Sequence, residues 1–152
     1  MCGRSSSGKS TVAGQLAHNL EAQIVSLDSI NEERGLFGVQ GIPVEEWIQT
    51  NDEAARRVSR FVRDGRHVVV DDTSSPRFLR DNWRALAEDA AVPFVLVYVD
   101  APDQVRRERL LNNRGESKRN DVLDEVMIEH VETSSPEPSP AQSRNPIAWR
   151  HP

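Results

Sequence analysis

The stretch Gly3-Arg4-Ser5-Ser6-Ser7-Gly8-Lys9-Ser10 constrains this chain more than any other, because it satisfies the phosphate-binding loop pattern GxxxxGK[ST] at every fixed position. The spelling follows from chemistry. Two glycines let the backbone curl so that successive N–H groups face one anion. Lys9 supplies a point charge for the β- and γ-phosphates of a nucleoside triphosphate, and the Ser10 hydroxyl suits Mg²⁺. A helix opening near Lys9 aims its positive end at the same anion. Val12, Leu16 and Leu20 are spaced for one face of that helix, which sets the motif apart from a flexible Gly/Ser-rich terminus. Gly3 to Thr11 is therefore the expected nucleotide-binding segment. Only Met1 and Cys2 precede it, where a buried strand is expected, so the reading is of a chain truncated at its N-terminus with the first strand largely missing.

A chain of 152 residues is one domain's worth. The net charge of −5 gives no support to a nucleic-acid footprint over the whole surface, though it leaves a local basic channel open. One cysteine rules out an internal disulfide and a Cys-based zinc site. No stretch approaches a membrane span and no apolar signal segment opens the chain, so a cytoplasmic protein without a membrane partner is expected.

Downstream, Gln23–Leu27 reads as a strand ending at Asp28, and 29–42 as a glycine-containing loop, with at most a short helical turn. A helix is expected from Pro43 to about Asp64, with a break near Asn51, and Gly65 stops it. Arg66–Asp71 reads as a strand buried on both faces. Ser74, Ser75 and Pro76 lead into a helix carrying Phe78, Leu79, Trp83 and Leu86. Val92–Val99 is the strongest strand signal, and Ala101-Pro102 opens a helix to about Leu111. Residues 115–120 are polar and basic, and 121–132 are amphipathic. This alternation implies a three-layer α/β/α architecture around a parallel sheet. The domain is expected to span 1–133, with 134–152 a Ser/Pro-rich tail, loosely attached or disordered.

Ligands of such sheets sit at the carboxyl ends of strands, where Asp28, Asp71 and Asp72 fall. Asp71 or Asp72, after Val68-Val69-Val70, suits the metal shell opposite Ser10. Asp28 is placed to accept the proton of an attacking hydroxyl. Arg106, Arg107, Arg109, Arg114, Lys118 and Arg119 form a basic cluster suited to a lid that stabilises transferring phosphate. The first three cannot all point one way on a helix, so Arg114, beside Gly115, and Arg109 are the candidates.

Taken together, GRSSSGKST, the acid after IVSL, VVVDDTSS, VYVDAP and NNRGESKRNDVLDEVM resemble the small P-loop kinases of the polynucleotide kinase-like and zeta-toxin-like group, an AAA-type ATP-binding family. The resemblance covers Gly3 to Thr133. It implies a P-loop NTPase fold, ATP and Mg²⁺ as cofactors, and transfer of the γ-phosphoryl group to a hydroxyl of a small molecule or nucleic-acid end. It assigns phosphate binding to Lys9, metal binding to Ser10, base function to Asp28, polar contacts to Asp72 and lid charge to Arg114. The polynucleotide kinases carry a phosphate-gripping arginine three residues after the base; here Asn31 stands there, and Arg34 is the candidate substitute. The alternatives are a truncated or degenerate ATP-binding switch or adaptor, and a regulatory NTPase. The motifs leave the acceptor and the oligomeric state open.

Overall fold

The phosphate-binding loop runs directly into α1 (Lys9–Leu20), which turns Val12, Ala13 and Ala17 inward and ends at Glu21 in the left-handed region (φ 49°). The computed structural model describes residues 1–36, 42–74, 76–112 and 149–150. After α1 come β1 (Gln23–Ser26), α2 (Leu27–Glu33), α3 (Val44–Arg63), β2 (Val68–Asp71), α4 (Arg77–Asp89), β3 (Val99–Asp100), α5 (Asp103–Asn112) and β4 (Trp149–Arg150).

β1 and β2 pair in parallel, from Gln23 opposite Val68 to Ser26 opposite Asp71, and β3 pairs in parallel with β4. Met1 and Cys2 lie between these pairs. The Met1 amino group donates to the Val70 carbonyl at 2.8 Å. Cys2 N–H donates to Val97 O, and Val99 N–H to Cys2 O, each at 2.8 Å. The two residues thus occupy the place in the sheet from which the loop departs.

Strand β2 shows why the sheet needs a layer on each face, because successive side chains of a strand alternate. Val69 packs with Ala13, Ala17 and Leu16 of α1. Val68 and Val70 face the opposite way, against a cluster of Val25, Leu27, Ile30, Ala54 and Val58 that Trp83 and Leu86 complete. The expected α/β/α layering follows.

Three local expectations are corrected, those for the strand after α1, for α3 and for Val92–Val99. The strand after α1 stops at Ser26, and Asp28 lies in the first turn of a helix. The Ser26 hydroxyl accepts the Ser29 N–H at 3.3 Å, and Leu27 and Ile30 fall on one buried face. Helix α3 runs through Asn51 unbroken, with the Asn51 amide donating to Trp47 O at 2.8 Å. Most of Val92–Val99 is not strand; among the described residues its ladder forms only beside Cys2, through Tyr98, and beside Trp149–Arg150. Phe78 is 63% exposed, since it shares a helical stripe with the exposed Asn82 and Ala85 rather than with Ala87. Trp149 and Arg150, read as part of the tail, run beside β3; the rest of the tail, the basic segment with Arg114 and the amphipathic 121–132 lie outside the described residues.

Candidate active site

Backbone conformation shapes the loop first. Ser6 (φ 59°) and Gly8 (φ 97°) both adopt left-handed dihedrals, which helps the N–H groups line a concave anion site. Gly3 is buried with φ 143°, and a Cβ there would meet the Val99 carbonyl oxygen at 2.2 Å. Ser7 is fully buried, and its hydroxyl has no hydrogen-bond partner among the described residues.

Lys9 is only 8% exposed, and its Nζ donates to the Arg4 carbonyl at 2.9 Å, inside the loop. Burial pushes its ammonium below the ordinary lysine value of 10.5; the carboxylates of Asp71, Asp72 and Asp28, in that order, pull it back. Three acids from two elements and a connecting turn therefore act electrostatically on one buried cation. The exposed Ser10 follows Lys9 in the first turn of α1.

The two adjacent aspartates have different local duties. Asp72 Oδ2 accepts the Ser74 N–H at 2.9 Å and the Ser74 hydroxyl at 2.8 Å. These bonds hold Ser74 at φ 44°, so Asp72 forms the turn. Asp71 ends β2 and acts more strongly on Lys9. Beneath the turn, the buried Arg80 donates to Ser74 O at 2.7 Å, and Gly3 N–H donates to Thr73 O at 3.3 Å.

On the other side, α5 meets the loop. Arg109 Nη1 donates to Ser6 O at 3.2 Å. Arg4 Nη1 donates to Asp103 Oδ1 at 3.2 Å, and Arg106, 1% exposed, donates to the same oxygen at 2.5 Å. Of the expected basic cluster, Arg109 thus reaches the loop, while Arg106 is committed to its own helix. Arg34 is engaged by α3: its guanidinium donates to Glu46 O at 2.7 Å, to Thr50 Oγ1 at 2.5 Å and to the Glu46 carboxylate, so it holds α2 to α3.

A cavity of about 610 Å³ flanks α1, from Ser10 and Thr11 to His18 and Asn19. Among the described residues no three His, Cys, Asp or Glu side chains form a metal-holding group. A Mg²⁺ taken up with phosphates needs none, since it is bound by one or two carboxylates plus phosphate oxygens and water. The buried Lys9, the left-handed loop and the acids facing it fit a magnesium–triphosphate.

Asp103, Arg80 and Thr50 did not stand out in the sequence. Arg80 alone left a signal, because it falls in helical phase with Trp83 and Ala87, so a guanidinium sits on the inward face of α4.

The family model described as "AAA domain" matches residues 1–133. Adenylyl-sulfate kinase from Penicillium chrysogenum is 31% identical over 93% of this chain and 70% of that protein. Among solved structures, Kti12 from Chaetomium thermophilum, in complex with ADP-AlF3, superposes with a TM-score of 0.72 at 19% identity, covering 97% of this chain and 86% of that one. Mycobacterium tuberculosis APS kinase CysC, in complex with AMPPNP and APS, gives 0.69 at 17% identity over 99% of this chain and 87% of that one. A gluconokinase from Sinorhizobium meliloti gives 0.68 at 16% identity over 99% and 81%. These likenesses show the P-loop kinase fold with its parallel sheet. Among the described residues no helix is long and apolar enough to cross a membrane.

Proposed function

Because this chain belongs to the AAA domain family, we propose that it carries the γ-phosphoryl group of ATP to the hydroxyl of a small-molecule acceptor. It is a P-loop ATP-binding domain of kinase type, a phosphotransferase. The observation that carries the finer reading is Lys9, buried in the loop and faced by Asp71, Asp72 and Asp28.

In this reading Gly3 to Thr11 bind the triphosphate through backbone N–H groups, and Lys9 turns from the Arg4 carbonyl to the phosphates. Ser10 and Asp71 would hold Mg²⁺, which when bound neutralises phosphate charge. Asp72 shapes the turn beside them. Asp28 takes the acceptor's proton as the acceptor oxygen bonds to the γ-phosphorus. The bond from that phosphorus to the β–γ bridging oxygen breaks, and ADP leaves. Arg109, which reaches the loop from α5, meets charge on the transferring group, the role that the resemblance also gives Arg114. The nucleotide-binding domain spans 1–133, and of the segment after it Trp149–Arg150 runs beside β3.

Two of the named relatives, adenylyl-sulfate kinase and gluconokinase, are named for small-molecule acceptors, in keeping with that acceptor class. The polynucleotide kinase-like branch is less favoured, since Asn31 is buried and Arg34 is engaged by α3. Incubation with γ-labelled ATP and a panel of hydroxyl acceptors, adenylyl sulfate and gluconate included, tests the reading. Label on an organic acceptor supports it; free phosphate alone supports a regulatory NTPase, and binding without turnover a degenerate module.

The two aspartates should separate in the same assay. Asp71→Asn is expected to lower turnover roughly 100-fold with little change in stability. Asp72→Ala should cost about 1–3 kcal/mol of stability by leaving Ser74 unpaired, with a smaller loss of turnover. The reverse pattern would transfer the metal role to Asp72.

A further inference from the structure

Helix α2 has seven residues, far too few to hold its own orientation in water. What orients it is on its buried side. Leu27 and Ile30 enter the core, and the polar groups that follow are satisfied by α3. Asn31 is 4% exposed and Thr50 fully buried, and the Thr50 hydroxyl donates to Asn31 Oδ1 at 2.5 Å. That hydroxyl also accepts from Arg34 Nη1 at 2.5 Å, and Arg34 Nη2 donates to Gln49 Oε1 at 2.9 Å and to the Glu46 carboxylate. One buried hydroxyl therefore joins Asn31 of α2, and Arg34 that caps the helix, to α3. Asp28 lies one turn before Asn31, near enough to Lys9 to raise its affinity for a proton.

We propose that Asn31, Arg34 and Thr50 are positioning residues that set where the Asp28 carboxylate stands relative to the loop, so that this polar cluster acts on proton removal from the acceptor. The inference rests on the reading of Asp28 as the base. Buried polar groups joined in this way have few alternative arrangements, because each broken bond strands a partner away from water. Loss of the Thr50 hydroxyl leaves Asn31 Oδ1 without its partner and frees α2 to pivot about Leu27 and Ile30. A displacement on the order of 1 Å at Asp28 is enough to slow a positioned reaction by up to ~100-fold.

The test is a double-mutant cycle with water as the acceptor, reading inorganic phosphate release and the Kd of a fluorescent ATP analogue. Thr50→Val, near in shape but without the hydroxyl, should lower turnover roughly 10- to 100-fold and leave the Kd within about twofold. In an Asp28→Asn background the same substitution should cost nothing further, and Thr50→Ser should restore the rate. Equal losses in both backgrounds, or no loss in the first, would overturn the proposal. If Asp28→Asn alone loses nothing, the assignment of the base fails instead. Should the native protein release no phosphate, amide exchange across 27–33 decides for the cluster: faster exchange in Thr50→Val and Arg34→Lys, with α1 unchanged, supports it, and unchanged exchange overturns it.

Discussion

Lys9→Met is expected to abolish phosphoryl transfer, by roughly 100- to 1,000-fold or more, and at the same time to raise the melting temperature. The catalytic loss follows from removing the point charge that meets the phosphates. The gain in stability follows from burial. Desolvation lowers the Lys9 pKa even with Asp71, Asp72 and Asp28 pulling the other way, so the net sign already includes the attraction that methionine would forfeit. A base whose folded pKa lies below its unfolded value binds protons less well in the folded state. Stability then rises with pH between the lowered value and 10.5, and the burden of the charged lysine is fully felt on the acid side of that window. The stabilisation by Lys9→Met should therefore be largest near neutral pH and shrink as pH approaches 10.5. Labelled-ATP transfer and melting curves at a neutral and an alkaline pH measure both effects. Retained transfer would refute the role of Lys9, and a lowered melting temperature would show that its carboxylate partners outweigh its burial.

The fold was legible in the sequence wherever a periodic signal and its packing partner came from the same stretch. The loop, α1 and α3 follow from spacing and from their capping glycines, and β2 from its unbroken valines. Helix α2 was not, because seven residues carry too little period to register, and its stability comes from Thr50 and Glu46, far along the chain. The run Val92–Val99 misled for a related reason: β-branched residues make a strand only where a neighbour offers a ladder, and among the described residues Cys2 and Trp149–Arg150 reach just its end. Motif spelling singled out Lys9, Asp28, Asp71 and Asp72, and in the fold the three acids act electrostatically on Lys9. It did not separate Asp71 from Asp72, since the difference lies in Ser74, whose left-handed turn consumes one carboxylate. The partners of Arg34 were hidden for the same kind of reason, since they lie across the fold on α3.

Gly3→Ala should cost roughly 3–5 kcal/mol of stability, although position 3 is known from the motif only as part of a phosphate cradle. Two terms add. At φ 143° the backbone is outside what an alanine adopts without strain, and the new Cβ would lie 2.2 Å from Val99 O and 3.2 Å from the carbonyl carbon. The obstacle is backbone of β3, which Cys2 pins through hydrogen bonds at 2.8 Å to Val97 O and from Val99 N–H, so it cannot swing aside as a side-chain tip would. The loop's first glycine is thus required by the sheet beneath it as well as by the anion above. Gly14→Ala supplies the contrast, because a Cβ there meets nothing within 4 Å on a helix interior, and a gain of about 0.5–1 kcal/mol is expected. Urea denaturation of the two variants beside the native protein reads both signs in one experiment. Equal midpoints for Gly3→Ala and the native chain would mean that the loop can lift off β3, and the close approach of Gly3 to Val99 would then not be what seats the loop on the sheet.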